Sequence, residues 1–522
     1  MNAKRLNSFF PIFVLAIALI VVLWSLMGKG FYISDDGEWM VIRLTAFYQS
    51  LADHQFPVRF LGRLNNSYGY PVSNFLYPGF LYIGSLLHFI GFTFVDSVKI
   101  ILGGSVIGTS VFLFLWLRRE FSRFSSTVGV LGFVGAPYLL FDLYKRGSVG
   151  EILAFLPAAA CMYSIESGKK WLFPVFVAFL IVSHNTLALL FLTVFFILIL
   201  FRKKFEYIRL LLLGIGLAAF FWMPAIMEKK FVRFDTITVS DPFSYMLTPA
   251  TFWLVGLPGI IGSALYLFVR KKKNARGFGG IYVCFILGSV ILATSLSGVF
   301  WTIPVVAALV QFPIRMLAVS TLLGPWAIAW SIERFHSRRI MLAGLFIFIW
   351  ILWGATIIRA IERVTRNEGY YMTNEGTTTV RDEYMPRWVT SIPGSRSPER
   401  LIIRSGRGTI VYEYLNTQRV IAHVEASEES ILRLNTIFYP GWGIMIDDRP
   451  AKITYQNPNG FIEVSVPAGG HRFIAEFRET VPRFLADMVS IGSFITWIVF
   501  VFRHPRPDRG SSLDSRFRGN DN

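Results

Sequence analysis

Apolar runs of roughly 20 residues, the length an α-helix needs to cross a bilayer, recur through the first 360 positions and once more near the end of the chain. They predict membrane-spanning helices at roughly 9–27, 97–117, 124–143, 150–166, 171–183, 186–201, 208–227, 249–269, 280–297, 312–331, 340–358 and 484–502, about twelve in all. The pair 171–183 and 186–201 is short, with a hairpin expected at His184-Asn185. Basic residues cluster between the apolar runs, at Lys4-Arg5, Arg118-Arg119, Lys169-Lys170, Arg202-Lys203-Lys204, Arg270 to Lys273, Arg338-Arg339 and Arg503. Such clusters mark the cytoplasmic side. If all of them are cytoplasmic, an even number of crossings separates one from the next. The stretch 75–95 is apolar enough to span, but counting it as a crossing would put Arg118-Arg119 outside. It is therefore expected to be a juxtamembrane or re-entrant helix within a long first outer loop, 28–96, with both termini cytoplasmic.

Residues 359–483 change character. Apolar runs shorten, charge rises, and polar and apolar positions alternate with the period of a half-buried strand. Strands are predicted at 401–403, 409–414, 419–424, 431–436, 443–446, 461–466 and 472–477, with turns at Asp447-Asp448 and 457–460. This predicts an outer β-sandwich of about 100 residues, between a helical membrane domain, 1–358, and a last membrane helix, 484–502. Residues 503–522 read as a polar cytoplasmic tail without structure.

Composition agrees. Only 16% of the 522 residues are charged and 54% are hydrophobic, against about 25% charged in soluble domains. The net charge of +18 would suggest nucleic acid in a soluble protein, but here it sits in short clusters between apolar spans. Topology explains it and no nucleic-acid partner is expected. Cys161 and Cys284 both fall within apolar runs, so no disulfide framework exists. The first apolar run is long and no small-residue cleavage site follows it, so it is expected to be retained as a helix rather than removed as a signal peptide.

On this topology the unusual polar residues gather on one side. The first outer loop carries Asp35, Asp36, Glu38, Arg43, Arg59 and the run from Tyr68 through Tyr70 and Tyr77 to Pro78. The next loops add Lys145-Arg146 and Glu151, then His184-Asn185, then Glu228-Lys229-Lys230, then Gln311 and Arg315. Acid from one loop facing base from several suits an anionic substrate. Phosphate calls for Arg or Lys donors, a hydroxyl nucleophile calls for a carboxylate base, and a carboxylate pair can hold a divalent cation. Plainer roles compete. Asp35 or Asp36 would suit the cap of a helix starting near Gly37. The Tyr/Pro run would suit an interfacial aromatic belt. Lys145-Arg146 would suit snorkelling, His184 a hydrogen-bonded structural role, and Glu151 an ion pair with Arg146. Arg315 lies one turn into a span, where a charge costs roughly 3 kcal/mol on insertion scales, so it should face the bundle interior or a cavity. No spacing defines a catalytic triad, a phosphate-binding glycine loop or a zinc site.

The pattern Ser34-Asp35-Asp36-Gly37-Glu38-Trp39, Arg43, Phe56-Pro57-Val58-Arg59, Tyr68-Gly69-Tyr70-Pro71 and Tyr77-Pro78 resembles the bacterial membrane family labelled 6-pyruvoyl-tetrahydropterin synthase-related. The label implies no pterin chemistry; the family is similar to GT-C membrane glycosyltransferases. Arg146-Gly147 with Glu151, Ser183-His184-Asn185, Pro224 with Glu228-Lys229-Lys230, and Gln311-Phe312-Pro313 with Arg315 extend the resemblance over about residues 1–360. Phe438 to Trp442, Asp447-Asp448 and Val466 to His471 resemble the C-terminal β-domain of YfhO-type membrane proteins. One departure stands out. The family's His-Asp-Gly-Glu-Phe-His becomes Asp35-Asp36-Gly37-Glu38-Trp39-Met40, which removes both imidazoles and keeps the central acid.

What the resemblance implies is a GT-C-type enzyme of a bacterial inner membrane, acting on the outer face. It would transfer a sugar from a polyprenyl-phosphate-linked donor, held within membrane lipid, to an envelope glycan or protein. Asp36 would be the general base or a metal-positioning acid, with Asp35 supporting it, and the pair would hold any divalent cation such as Mg or Mn. Arg146 and Arg315 would bind the donor phosphate, with Glu151 in the same set. Tyr70, Tyr77 and His184 would line the sugar or lipid pocket. In the β-domain, Tyr439 and Trp442 are either sugar-stacking faces or core. The alternatives are a non-catalytic protein that binds or moves a lipid-linked glycan, and a scaffold for envelope assembly docking through the β-domain. Charges at the rim and the absence of an internal repeat argue against transport.

Overall fold

The computed structural model describes residues 3–236, 241–273, 279–359 and 361–503. Of the tail expected at 503–522, Arg503 ends the last helix and residues 504–522 lie outside these residues. Helix α1 (Ala3–Leu23) is followed by strand β1 (Phe31–Tyr32) and helix α2 (Gly37–Ala52). Then come α3 (Gly79–Phe89), α4 (Phe94–Leu117), α5 (Arg123–Val134) and α6 (Pro137–Leu140). The bundle continues with α7 (Val149–Ser167), α8 (Leu172–Ser183), α9 (Asn185–Phe201), α10 (Glu206–Leu217) and α11 (Ala219–Glu228). Its later part is α12 (Leu257–Lys273), α13 (Gly279–Leu292), α14 (Gly298–Trp301), α15 (Pro304–Val310), α16 (Leu317–Arg334) and α17 (Arg339–Arg359).

Each expected apolar run contains a helix, and α3, only 11 residues long, is too short to cross at 1.5 Å per residue. By length and composition five helices can span a bilayer, at 94–117, 149–167, 313–334, 336–358 and 481–503, and seven spans result if two bent pairs each count once. The bends have local causes. Pro137 has no N–H to continue the ladder, and the run expected at 124–143 turns by 42° there. The run expected at 208–227 is bent by 69° between α10 and α11. The expected span 249–269 starts as helix only at Leu257, because Gly256 adopts φ +74°.

The helices have two distinct ends. Among the described residues the basic clusters at 118–123, 169–170, 202–204 and 338–339 gather at one. There Arg202 bonds Glu166 (3.1 Å) and the Tyr282 hydroxyl (3.0 Å), and the Trp326 indole donates to Glu120 (2.9 Å). At the other end sit the first long loop and the β-domain. After β2 (Arg363–Val364), which pairs with β1, and α18 (Glu368–Thr373), seven strands appear at the predicted places. They are β3 (Leu401–Ser405), β4 (Gly408–Leu415), β5 (Arg419–Ala426), β6 (Ser430–Ile437), β7 (Trp442–Ile446), β9 (Phe461–Val466) and β10 (Gly469–Phe477), with the short β8 (Arg449–Pro450) between. They form two antiparallel sheets, in the orders β4-β5-β10-β7-β8 and β3-β6-β9. The alternation is realised in β5, where Val420, Ala422 and Val424 are buried and His423 and Glu425 are exposed. Helix α19 (Val481–Arg503) closes the chain.

The β-domain is fastened to the first loop. Phe60 stacks on Phe477 at 5.2 Å and packs against Tyr439 and Trp442, all buried. That placement corrects the stacking role considered for Tyr439 and Trp442: both are core. Arg483, fully buried, grips Glu228 with two nitrogens at 2.7 and 2.8 Å, while Asn74 and the Tyr439 hydroxyl donate to the same carboxylate (2.8 Å each). Arg59 reaches Glu479 and Asp487.

Candidate active site

Asp35 and Asp36 are held against Arg146 by the backbone. The Asp35 N–H donates to the Lys145 carbonyl (3.0 Å) and the Asp36 N–H to the Arg146 carbonyl (2.8 Å). The partner segment, 141–146, closes the bent α5–α6 span as one π-helical turn, and Gly147 ends it at φ +67°. A Cβ on Gly147 would lie 2.4 Å from the Ser34 hydroxyl, so both the conformation and the close approach require glycine.

Neither acid caps α2. Asp36 occupies the cap position without a side-chain bond, and the Gly37 N–H goes to the Ser34 hydroxyl at 3.2 Å. The capping role is therefore taken by Ser34, and the carboxylates are left for other work. Asp35 is exposed and Asp36 half-buried. Burial pushes the Asp36 carboxyl above its ordinary range, against the pull of the Arg146 and Arg43 guanidinium groups. Glu38, in contrast, is engaged by Arg366 (2.8 Å) and the Tyr371 hydroxyl (2.9 Å).

Beside this pair Glu151, at the start of α7 and fully buried, gathers residues from four elements. Its Oε1 accepts from Arg146 (2.8 Å) and from Arg315 Nε (2.8 Å), and His184 Nε2 lies 3.6 Å away. The Tyr138 hydroxyl donates to Oε2 (3.0 Å). Arg146 also bonds Asp142 at 2.6 Å. His184 sits in the turn between α8 and α9, where its Nδ1 accepts the Leu187 N–H (3.2 Å). That bond leaves its proton on Nε2, facing Glu151. Burial pushes His184 down to about 3, so the ring is neutral at working pH. Tyr77 lies against the His184 ring at 4.7 Å between centroids, and Gly150 lets it in: a Cβ there would meet the Tyr77 ring at 2.1 Å.

Five of the expected residues thus meet in one place: Arg146, Glu151, His184, Arg315 and Tyr77, with Asp36 hydrogen-bonded alongside. Tyr70 stands apart. Its hydroxyl lies 2.9 Å from Thr379 Oγ1 and accepts the Tyr384 N–H (3.0 Å). Tyr68, Tyr70 and Tyr77 are all buried, so the run is packed loop rather than an interfacial belt.

Sequence reasoning passed over three residues. Asp142 falls within the expected span 124–143, although an acid within an apolar run is itself a signal. Tyr138 carried no signal. Arg43 was named in the loop but given no role. It is 3% exposed, and its guanidinium bonds Thr378 Oγ1 (3.2 Å) and the Thr378 carbonyl (2.6 Å). Among the described residues no carboxylate lies within ion-pair distance of it.

Among the described residues no group of three or more His, Cys, Asp or Glu side chains is placed to hold a metal ion. Asp35 and Asp36 alone offer two carboxylates, with two guanidinium groups acting on Asp36. A hard cation asks for six or more oxygens, and nearby positive charge opposes it, so these residues by themselves do not make a cation site.

The fold and the site define a mostly helical membrane protein with a charged, partly buried centre at the end of the bundle that carries the β-domain. No protein-family model and no curated protein matches the chain. Among solved structures it is similar to the oligosaccharyltransferase of the archaeon Archaeoglobus fulgidus. For the crystal structure of that protein with zinc and sulfate, identity is 14%, coverage is 72% of this chain and 58% of that one, and the TM-score is 0.37. For its apo form the values are 12%, 70%, 56% and 0.36. The chain spans less than three fifths of the length of that protein.

Proposed function

We propose that this chain is a GT-C-type glycosyltransferase of a bacterial inner membrane. It moves a sugar from a polyprenyl-phosphate donor to an envelope glycan or protein on the outer face. The observation that carries the reading is Asp36, hydrogen-bonded through its backbone to Arg146 and adjoining the buried Glu151 cluster. The gathering of basic clusters at the opposite end supports placing that end in the cytoplasm and supports about twelve crossings.

In this mechanism the acceptor hydroxyl oxygen attacks the anomeric carbon of the donor sugar. Asp36 takes the hydroxyl proton. The bond between that carbon and the phosphate oxygen breaks, and its electron pair leaves with the lipid phosphate. Configuration inverts. The nitrogens of Arg146 and Arg315 that Glu151 does not hold receive the phosphate, and Arg43 adds positive charge beside Asp36. Glu151 fixes the two arginines in advance, so little reorganisation is left for the moment of transfer. Tyr77 and neutral His184 border the sugar.

The test is complementation of a deletion strain by wild type and by Asp36→Asn, read by mass spectrometry of surface glycans and lipid-linked sugars. We expect wild type to restore a glycan and Asp36→Asn, at equal protein level, to accumulate the lipid-linked donor. Full rescue by Asp36→Asn would remove Asp36 from the chemistry and favour a binding or scaffold role.

A further inference from the structure

The segment that leads from α18 into the β-domain is bonded to the candidate active site and to the chain after α11. The Thr378 hydroxyl and carbonyl accept from the Arg43 guanidinium (3.2 and 2.6 Å). Thr378 takes a left-handed φ of +61° to do so, an outlier for a β-branched residue. Thr379 Oγ1 lies 2.9 Å from the Tyr70 hydroxyl, which accepts the Tyr384 N–H (3.0 Å). One residue further on, the Met385 carbonyl accepts the Arg233 N–H (3.0 Å), and the Arg387 N–H donates to the Phe231 carbonyl (2.9 Å). The backbone around Tyr384 is thereby fixed at several points.

The Tyr384 side chain is half-buried. Phe75 and Phe234 both stack on its ring, at 5.4 and 5.7 Å between centroids. Phe75 is itself tied to the site, because its carbonyl accepts from Asn185 (3.0 Å), the neighbour of His184, and Tyr77 follows it by two positions. The packing holds the ring and leaves its oxygen free. Among the described residues nothing hydrogen-bonds the Tyr384 hydroxyl, and the oxygen is open to water rather than closed off. The Tyr77 hydroxyl shares that state. Around them the hydroxyls of Tyr68, Tyr70, Tyr138, Tyr371 and Tyr439 are all bonded within the protein.

Burial pushes the Tyr384 phenol above its ordinary range and Glu383 adds to the rise, while Arg43 and Arg315 pull against it. Tyr77 feels the same two arginines. The Tyr384 phenol thus keeps its proton at working pH and acts as a donor. A neutral O–H set near guanidinium groups fits an oxygen that carries negative charge, the stronger kind of acceptor. Arg146 and Arg315 each give Glu151 one nitrogen, and Arg43 has no carboxylate at ion-pair distance among the described residues.

We propose that Tyr384 is a substrate-contacting residue of the candidate active site, its free hydroxyl donating a hydrogen bond to the phosphate of the lipid-linked donor beside Arg315. The inference rests on the transferase reading. In the transfer step the phosphate oxygen gains negative charge as its bond to the anomeric carbon breaks, and the Tyr384 O–H stabilises that charge without giving up its proton. The residue arrives on the segment that enters the β-domain, so seating of that domain also completes the donor pocket.

The test is isothermal titration of the full chain in detergent with farnesyl phosphate and with farnesol. Wild type should bind farnesyl phosphate about tenfold or more tighter than farnesol. Tyr384→Phe keeps the ring on Phe75 and Phe234 and loses no bond within the protein, so it should fold as wild type does. It should bind farnesyl phosphate about tenfold more weakly, as expected for losing a hydrogen bond to a charged group, with farnesol unchanged. Tyr414→Phe, at a half-exposed position on β4, should match wild type. If wild type discriminates and Tyr384→Phe binds farnesyl phosphate equally well, the assignment of Tyr384 is overturned and the transferase reading stands. An equal loss for farnesol, or in Tyr414→Phe, would overturn it as well. Equal affinity of wild type for farnesyl phosphate and farnesol would remove the transferase reading, and this inference with it.

Discussion

At the residue scale, Asp36 has the environment a general base needs. It is half-buried, its carboxyl is raised by that burial, and two arginines keep the ionised form accessible. A carboxyl raised in the folded chain holds its proton more tightly there than in the unfolded chain. The resulting stability is present on the acid side and is lost as pH rises through the folded value. The base form therefore appears as that stability fades. Transfer activity should rise with pH along a limb whose midpoint lies above the roughly 3.9 of an unperturbed aspartic acid. The residual activity of Asp36→Asn should lack that limb. A pH–rate profile of the two proteins decides it, and an identical acid limb in both would assign the titration to another group. Little of this was legible in the sequence. Asp35 and Asp36 stand out as acids after an apolar run, but only the bond from Gly37 to Ser34 shows that neither is occupied as a cap.

At the element scale, the site depends on a π-helical turn and on two glycines that allow close approach. The turn at 141–146 ends a bent span and delivers Arg146 to the segment leading into α2 that carries Asp36, with Gly147 in a left-handed conformation against Ser34. Gly147→Ala adds both a strained φ and a clash, so it should separate the two backbones while leaving Asp36 itself intact. We expect at least about a tenfold loss of activity, matching roughly 1–3 kcal/mol of backbone strain, with a smaller change in protein level. Wild-type activity in a folded Gly147→Ala protein would show that this backbone contact does not position the acid. Sequence periodicity located the helix here but placed Asp142 and Arg146 on either side of a boundary at 143. The π-helical turn carries the helix past that boundary and makes them neighbours four residues apart.

At the scale of the whole molecule, the β-domain is clamped onto the first loop by buried charge rather than by apolar surface alone. Arg483 at the start of α19, Glu228 at the end of α11 and Tyr439 in the β-domain converge with Asn74 of the loop. Removing one member of a buried ion pair typically costs roughly 3–5 kcal/mol, because the other charge is left unpaired. Glu228→Gln should therefore loosen the domain. Limited proteolysis of the purified protein should cut the connecting segment 374–400 faster than in wild type, and a wild-type digestion rate would show that the apolar contacts of Phe60 suffice.

The sequence by itself determined the elements. Apolar runs and period-two alternation are local properties of the chain, and they located a helix in every apolar run, five to seven of them able to span a bilayer, and the seven strands to within a few residues. It also marked most residues of the site, because charges next to or inside apolar runs are conspicuous. Only the tertiary structure decided which of them meet. Glu151 joins Arg146, Arg315 and His184 across gaps of up to 164 positions, while Tyr70, equally prominent in sequence, is bound elsewhere. The physical reason is that a helix crossing or a bent span brings together residues no local pattern relates, and a buried charge declares its partner only when the side chains around it are in place.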